Sequence, residues 1–326
     1  MQAVGKKAIV VIALSLICIE GCASRSGGLS STEPPDTLLK TDAAPVQIRT
    51  ATTNTTATKR TGADSLGSTA SQEPTKIKQK KTIEDLTKAV EMMPSHAPAY
   101  NELGFAYAKR GDYDKAIANY NKALELDRCY DWALYNRGCA WYDQGKYDLA
   151  IDDYSKALEC NPQYAEAYNN RGNARFQKEQ YDEAFQDYTK AVELKPRYAI
   201  AHYNLGNAWC KKGQYRQAVD EFTKAVQLKP DYSDGFNNRG VAFIMLEQYG
   251  EAEKDLMTAL ELDPDEGSTM VRLAELYSMK KDIVEACKWL TRGVDKGYRD
   301  FKYIKNTVTF NNIRPWSCYE DALSRK

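Results

Sequence analysis

The sequence predicts an all-α solenoid: helix pairs stacked in a row and closed by a C-terminal cap. Two observations carry this. Ala165–Tyr198 reads AEAYNNRGNARFQKEQYDEAFQDYTKAVELKPRY, and the 34 residues before it read DWALYNRGCAWYDQGKYDLAIDDYSKALECNPQY. The 34 residues after it read AIAHYNLGNAWCKKGQYRQAVDEFTKAVQLKPDY. A fixed period of this size marks a stacked repeat, in which each unit is too small to bury its own apolar face and is stabilised by its neighbours. The second observation is that every aromatic residue lies at Tyr100 or later. Most of the first hundred residues are therefore not expected to form a folded core.

In chain order, residues 1–21 read as a signal peptide. Lys6 and Lys7 precede the uncharged, mostly apolar run Ala8–Ile19. As a helix that run spans only about 18 Å, short of the roughly 30 Å hydrocarbon core of a bilayer, so a cleavable segment fits better than a permanent span. Ile19-Glu20-Gly21-Cys22 follows. It resembles the bacterial lipobox, although Glu20 stands where a small or apolar residue is usual. The resemblance implies that Cys22 is lipidated on its thiol and becomes the new N-terminus, with Ala23 after it favouring the outer membrane. The alternative is an ordinary signal peptide cut after Ala23, leaving a soluble periplasmic or secreted protein. Residues 22–78, rich in Ser and Thr and free of aromatics, are expected to form a disordered tether. A flexible chain of this length spans roughly 40 Å. Lys76, Lys78, Lys80 and Lys81 form a basic run before the first helix, read either as a solvated helix start or as a contact for an acidic surface.

The repeat region runs over 79–300. Lys81–Met93 carries Ile83, Leu86, Ala89 and Val90 on one helical face and is ended by Pro94. It is the second helix of a half repeat, 79–96. Full units follow at 97–130, 131–164, 165–198, 199–232 and 233–266, and a degenerate one at 267–300. Each full unit places Gly at its eighth position: Gly104, Gly138, Gly172, Gly206 and Gly240. Mid-helix Gly costs roughly 1 kcal/mol against Ala, so its recurrence calls for close helix–helix approach. Ala116, Ala150, Ala184, Ala218 and Ala252 are the expected small partners, and Tyr113, Tyr147, Tyr181, Tyr215 and Tyr249 mark the turn between helices. Pro162, Pro196, Pro230 and Pro264 close the second helices. The third unit departs, with Arg175 where its siblings place an aromatic and Glu179 where others place Gly. That unit is expected to pack differently or to offer a positive group to the groove.

These signatures together closely resemble the tetratricopeptide repeat (TPR). The resemblance implies a right-handed superhelical solenoid of antiparallel helix pairs. Residues 301–326, rich in aromatics and ending in a short helix, are similar to the cap that closes bacterial arrays, with Phe301, Tyr303, Ile304, Phe310 and Ile313 covering the last unit.

Catalysis requires a nucleophile, an acid–base pair or a metal cluster. Only two histidines occur, His96 and His202, neither with a partner at ligand spacing. No phosphate-binding Gly-rich loop or nucleophile elbow is present. The carboxylates recur with the repeat and read as solvated surface. An enzyme, a cofactor, a metal and a small-molecule substrate are therefore not expected. Zero formal net charge gives no general attraction to nucleic acid. Beyond Cys22, the cysteines are expected to be small buried hydrophobes. The exception is a possible Cys287–Cys318 disulfide tying the last unit to the cap.

What remains is binding of other proteins or extended peptides. In the TPR family, positions 2, 5, 6, 9, 12 and 13 of each unit face a concave groove. Asn136, Asn170, Asn204 and Asn238 recur at position 6 and resemble the Asn ladder of long TPR superhelices, which implies a grip on a peptide backbone. Trp132, Tyr135, Tyr142, Asn169, Phe176 and Tyr203 are expected to line pockets there or, in part, to seal neighbouring units. Asn101 and Phe105 stand where a carboxylate clamp needs Lys or Arg, which disfavours a chaperone C-terminus as ligand. The expected role is a membrane-tethered scaffold, an assembly factor or adaptor on the periplasmic face of the outer membrane. The alternative is a structural part of a secretion, pilus or export apparatus working through its convex face.

Overall fold

The computed structural model describes residues 73–325, and the expected signal peptide, Cys22 and most of the expected tether lie outside these residues. The described residues form α-helices and one 3-10 turn. Helix α1 (Glu73–Met92) is followed by six pairs. They are α2 (Ala97–Lys109) with α3 (Tyr113–Leu126), α4 (Asp131–Asp143) with α5 (Tyr147–Cys160), and α6 (Ala165–Gln177) with α7 (Tyr181–Leu194). Next come α8 (Ala199–Lys211) with α9 (Tyr215–Leu228), α10 (Ser233–Met245) with α11 (Tyr249–Leu262), and α12 (Gly267–Met279) with α13 (Ile283–Asp295). Each helix packs on its pair partner, and each second helix packs on the first helix of the following pair. This is the stacking a solenoid requires.

Helix α1 starts eight residues before the apolar pattern does, and so takes in Glu73–Lys80, part of which was expected as tether. Pro74 is tolerated in a first helical turn, and the Lys and Gln residues that follow are good helix formers. From Ile83 onward the amphipathic face packs as predicted: Ile83 and Val90 are buried with Ala99 and Leu103 of α2. Glu84, Asp85, Lys88 and Glu91 face outward, giving the array a polar N-terminal end.

The repeated glycines do allow close approach, most tightly to the side chain at the twenty-fourth position, a ring in the first four units, with the alanine carbonyl also in reach at Gly104 and Gly240. A Cβ on Gly104, Gly138 or Gly172 would lie 2.7–2.8 Å from the ring of Tyr120, Tyr154 or Tyr188. On Gly206 it would lie 2.6 Å from the ring of Phe222, and on Gly240 2.9 Å from Leu256 Cγ. The alanines at the twentieth position are fully buried beside them. The turn within each pair contains a residue in the left-handed region. Gly111, Gly145 and Gly213 take it at φ of 79°, 71° and 70°. Glu179, Glu247 and Lys281 take it at 61°, 59° and 62°, where a side chain is strained. The third unit therefore keeps the turn of its siblings despite lacking Gly.

The C-terminal residues form α14 (Phe301–Asn306), the 3-10 turn Val308–Phe310 and α15 (Ser317–Ser324). Ile304, Phe310 and Ile313 are fully buried in one core with Leu273, Leu276 and Leu290 of the last pair, and Phe301 packs at its margin. Cys287 of α13 is bonded to Cys318 of α15, with Cα atoms 5.7 Å apart. A second disulfide, Cys129–Cys160, ties the end of the first unit to the end of α5, with Cα atoms 5.5 Å apart. These two were expected to be buried thiols. Instead Cys129 is exposed, because the loop between α3 and α4 lies at the surface beside the C-terminus of α5. Cys139 and Cys210 remain thiols.

Candidate peptide-binding groove

The first helices of successive pairs meet through side chains recurring at positions 5, 6 and 9. Asn136 Nδ2 donates to Asn101 Oδ1 at 3.0 Å. Asn170 Nδ2 donates to the Tyr135 hydroxyl at 2.8 Å and to Cys139 Sγ at 3.6 Å. Asn204 Nδ2 donates to Asn169 Oδ1 at 2.9 Å and to Asn173 Oδ1 at 3.0 Å. Asn238 Nδ2 donates to the Tyr203 hydroxyl at 3.0 Å and to Asn207 Oδ1 at 2.8 Å. Position 5 alternates between amide and phenol along the array: Asn101, Tyr135, Asn169, Tyr203, Asn237. Where it is an amide, Asn169 and Asn237 each donate to the following Asn170 or Asn238 at 3.1 Å.

This corrects the predicted ladder. Asn170 and Asn238 are each 3 % exposed, and both hydrogens of their amides are held by the preceding unit. Asn169, Tyr135 and Tyr203 are buried too. The Tyr135 ring packs 4.9 Å from Tyr164, and the Tyr203 ring 5.0 Å from Tyr232. These five side chains join units to one another, because a buried amide or phenol must be hydrogen-bonded and the neighbouring helix is what lies in reach. Asn136, Asn204, Trp132, Tyr142 and Phe176 stay half-buried and reach the surface. Phe105 and Asn173, at position 9, are half-buried as well. Trp132 leans on Tyr164, with ring centroids 5.6 Å apart, while Tyr142 and Phe176 meet Tyr147 and Tyr181 edge-on at 5.2 and 5.1 Å. The open inner surface thus lies over the first four units and is aromatic and amide in character.

At the last unit the equivalent positions are closed. Arg272, Glu275 and Ser278 are buried beneath the C-terminal segment. Arg272 Nη1 donates to Glu275 Oε2 at 3.1 Å and also meets the Tyr303 hydroxyl. Thr309 Oγ1 donates to Glu275 Oε1 at 2.9 Å, and Ser278 Oγ to the Thr309 carbonyl at 2.5 Å.

Behind the groove, a second recurring contact clamps the helices of three of the pairs. Arg137 grips Asp153 with Nε and Nη2 at 2.7 and 2.6 Å, and Arg171 grips Asp187 at 3.0 and 2.7 Å. Arg239 grips Asp255 at 2.6 and 2.8 Å. The free Nη1 of each reaches Asn121, Ser155 or Thr223 on the preceding unit. Asp153, Asp187 and Asp255 are buried, so these carboxylates are interior rather than solvated surface. Arg175 joins Asp187 at 2.7 Å, which spends its charge inside its own unit. A sequence signal for the clamp existed. Arg at position 7 and Asp at position 23 occur together in units two, three and five, while the first unit has Leu103 with Asn119 and the fourth has Leu205 with Glu221. In the fourth unit His202 replaces the clamp: its Nδ1 lies 2.6 Å from Glu221 Oε2 and its Nε2 3.0 Å from the Pro196 carbonyl. Burial pushes the Glu221 carboxyl up, but hydrogen bonds from His202 and Lys224 outweigh this and hold it below its usual range. Burial raises the Cys139 thiol to about 11, so it is not a nucleophile at neutral pH. Among the described residues no cluster of metal ligands occurs, and no helix is long and apolar enough to cross a membrane.

Fold and groove define a class: an α-solenoid of stacked helix pairs with a concave inner surface. Its repeats are tetratricopeptide repeats. Models described as "Tetratricopeptide repeat" match residues 97–128, 199–232 and 233–266, and one described as "TPR repeat" matches 139–178 and 172–211. Solved structures with this fold include that of the APC/C hetero-tetramer Cut9–Hcn1, 20 % identical, covering 72 % of this chain and 46 % of that one, with a TM-score of 0.60. PilF of Pseudomonas aeruginosa is also 20 % identical, covering 71 % of this chain and 97 % of its own, with a TM-score of 0.55. YrrB, a TPR protein described as having an unusual peptide-binding site, is 26 % identical over 58 % of this chain and 97 % of its own, with a TM-score of 0.49. No curated protein sequence matches this one.

Proposed function

We propose that this protein is a non-enzymatic scaffold that holds segments of other proteins in the inner groove of its first four units. The observation that carries this is the partition of the inner side chains. One set is buried and hydrogen-bonded between units, which makes the groove floor rigid. The other set, Trp132, Tyr142, Phe176, Asn136 and Asn204, reaches the surface. A preorganised floor beneath half-exposed aromatics is what an anchor-based interface requires. Such a groove holds partner side chains in aromatic pockets rather than a peptide backbone on an amide ladder.

We further propose that the array is tethered through a lipidated Cys22 in a bacterial envelope, facing the periplasm, as an assembly factor or adaptor. The lipobox-like Ile19–Cys22 motif motivates this. Two disulfides in the array are consistent with an oxidising compartment.

Two experiments test these readings. Proteins co-purifying with the wild type are compared with those retained by Trp132→Ala/Phe176→Ala, with helicity and melting checked in parallel. Loss of partners from a folded variant is expected, and retention of all partners excludes the groove. The mass of the N-terminal peptide from membrane-extracted protein is expected to show acylated Cys22. An unmodified peptide starting after Ala23, or a retained Met1, excludes the anchor.

A further inference from the structure

Successive units are also linked along the edge formed by the turns within pairs, and one junction differs from the next two. Position 18 of the first three units is an aspartate: Asp114, Asp148 and Asp182. Lys178 Nζ reaches Asp148, and Lys212 Nζ reaches Asp182, each from position 14 of the following unit. At the first junction that position is Gln144, and its Nε2 donates weakly to Asp114 Oδ1 at 3.3 Å. Its Oε1 is out of contact with solvent and has no hydrogen-bond partner. A cleft of about 290 Å³ opens there, lined by Gly111, Asp112, Tyr113, Asp114, Lys115 and Gln144.

The charges around the cleft are unevenly matched. Asp112 is met by Arg110 at 3.4 Å, and Lys115 carries its Nζ over the Tyr107 ring, 5.5 Å from the centroid. Among the described residues, Asp114 is met by the neutral amide of Gln144 and by no cation. The Tyr113 hydroxyl is held by Asp143, the residue at inner position 13, so the cleft adjoins the groove. The arrangement therefore places an exposed carboxylate, with an unsatisfied amide oxygen enclosed beside it, where the next two junctions seat an ammonium group.

We infer that this cleft takes a cationic side chain, Lys or Arg, from the protein segment held in the adjoining groove. The partner's cation fills the place that Lys178 and Lys212 fill at the following junctions. It pairs with Asp114, and the Gln144 amide, now aiming Nε2 at that carboxylate, turns to offer Oε1 instead. A charge-assisted bond to an otherwise unmatched carboxylate favours a basic residue over a neutral one of the same size. The inference rests on the scaffold reading for its biological partner, but the cleft can be probed without that partner.

The test uses the full folded array and three small probes: acetyl-arginine amide, acetyl-lysine amide and the uncharged acetyl-norleucine amide. Binding is followed by the NMR signals of the Gln144 side-chain amide and of the Asp114 backbone. The two cationic probes are expected to shift these signals saturably, and the norleucine probe is expected to leave them unmoved. Asp114→Asn should abolish the response. Gln144→Lys should abolish it as well, because the new ammonium group takes the site as at the neighbouring junctions, and should also raise the melting temperature slightly. Equal response to the norleucine probe, no response to either cation, or an undiminished response in Gln144→Lys overturns the inference. Trp132→Ala/Phe176→Ala is expected to leave the probe response intact. Retention of all partners by that variant, with an intact probe response, would thus sink the scaffold reading alone.

Discussion

At the scale of single residues, the same chemical group serves opposite purposes depending on burial. Asn170→Ala removes a buried amide that satisfies Tyr135 and Asn169, and should cost about 1–3 kcal/mol in a urea titration. Changing Asn136, which reaches the surface, is expected to cost less. Strained turns offer the converse case. Glu179 and Glu247 hold the left-handed conformation that glycine adopts freely. Glu179→Gly is therefore expected to leave stability unchanged or raise it by up to about 1 kcal/mol, although glycine normally destabilises. A clear loss of stability on that substitution would show that the Glu179 side chain makes a contact worth more than the strain. Glu221 supplies a pH dependence. Its carboxyl is held below the usual range in the folded state, so its contribution is present above the ordinary carboxyl value of about 4.3 and is lost as pH falls through the folded value. Acid titration of unfolding should accordingly be shallower in Glu221→Gln.

At the scale of helices and their pairs, the contact of glycine with the ring opposite sets how closely each of the first four pairs can pack. Gly172→Ala puts a methyl 2.7 Å from the Tyr188 ring, so the buried ring or the helix carrying it must shift. A loss of about 1–3 kcal/mol is expected by thermal or chemical denaturation. The disulfides act at the same scale. Cys129–Cys160 spans 31 residues, and opening it by Cys160→Ser should cost about 3–4 kcal/mol on the chain-entropy model. Thiol titration of the unfolded, unreduced array should find only Cys139 and Cys210 reactive.

How far the sequence was legible follows from these two scales. The period placed the helix pairs, because glycine, alanine and proline act through local backbone and packing requirements that repeat with each unit. The inner side chains were harder to read. Asn170 and Asn204 sit at the same repeat position, yet one is buried and the other is half exposed. The difference arises from what stands at position 5 of the preceding unit, Tyr135 or Asn169, and that is a contact between units rather than a property of either residue. Cys129 and Cys160 were missed for a related reason: 31 residues apart, they meet only because a loop and a helix end of adjacent units share one edge.

At the scale of the whole molecule, the array is sealed at both ends. A polar face of α1 covers one, and the segment 301–324 covers the other. The last unit buries an Arg272–Glu275 pair that is fully hydrogen-bonded only while Tyr303 and Thr309 are in place. Deletion of residues 301–326 should leave buried charges partly unpaired and a bare apolar face, giving a protein that aggregates rather than a shorter solenoid. A soluble monomeric truncation by light scattering would show that the last pair can close on itself.

The amide ladder also has a direction and a stopping point. Every Asn at position 6 donates toward the unit before it, so each unit from the second to the fifth supplies the donor that position 5 of its predecessor accepts. Asn237 Oδ1 is where that succession ends: it is buried and accepts no hydrogen bond, because Arg272, which stands where the next Asn would be, turns to the cap. The junction after residue 266 is thus a splice point already fitted for growth. A copy of residues 199–232 inserted there would bring its own amide to the waiting oxygen and carry a lysine at position 14, as Lys212 does in its parent. Lineages that lengthened or shortened such a protein could do so at this seam without redesigning either end.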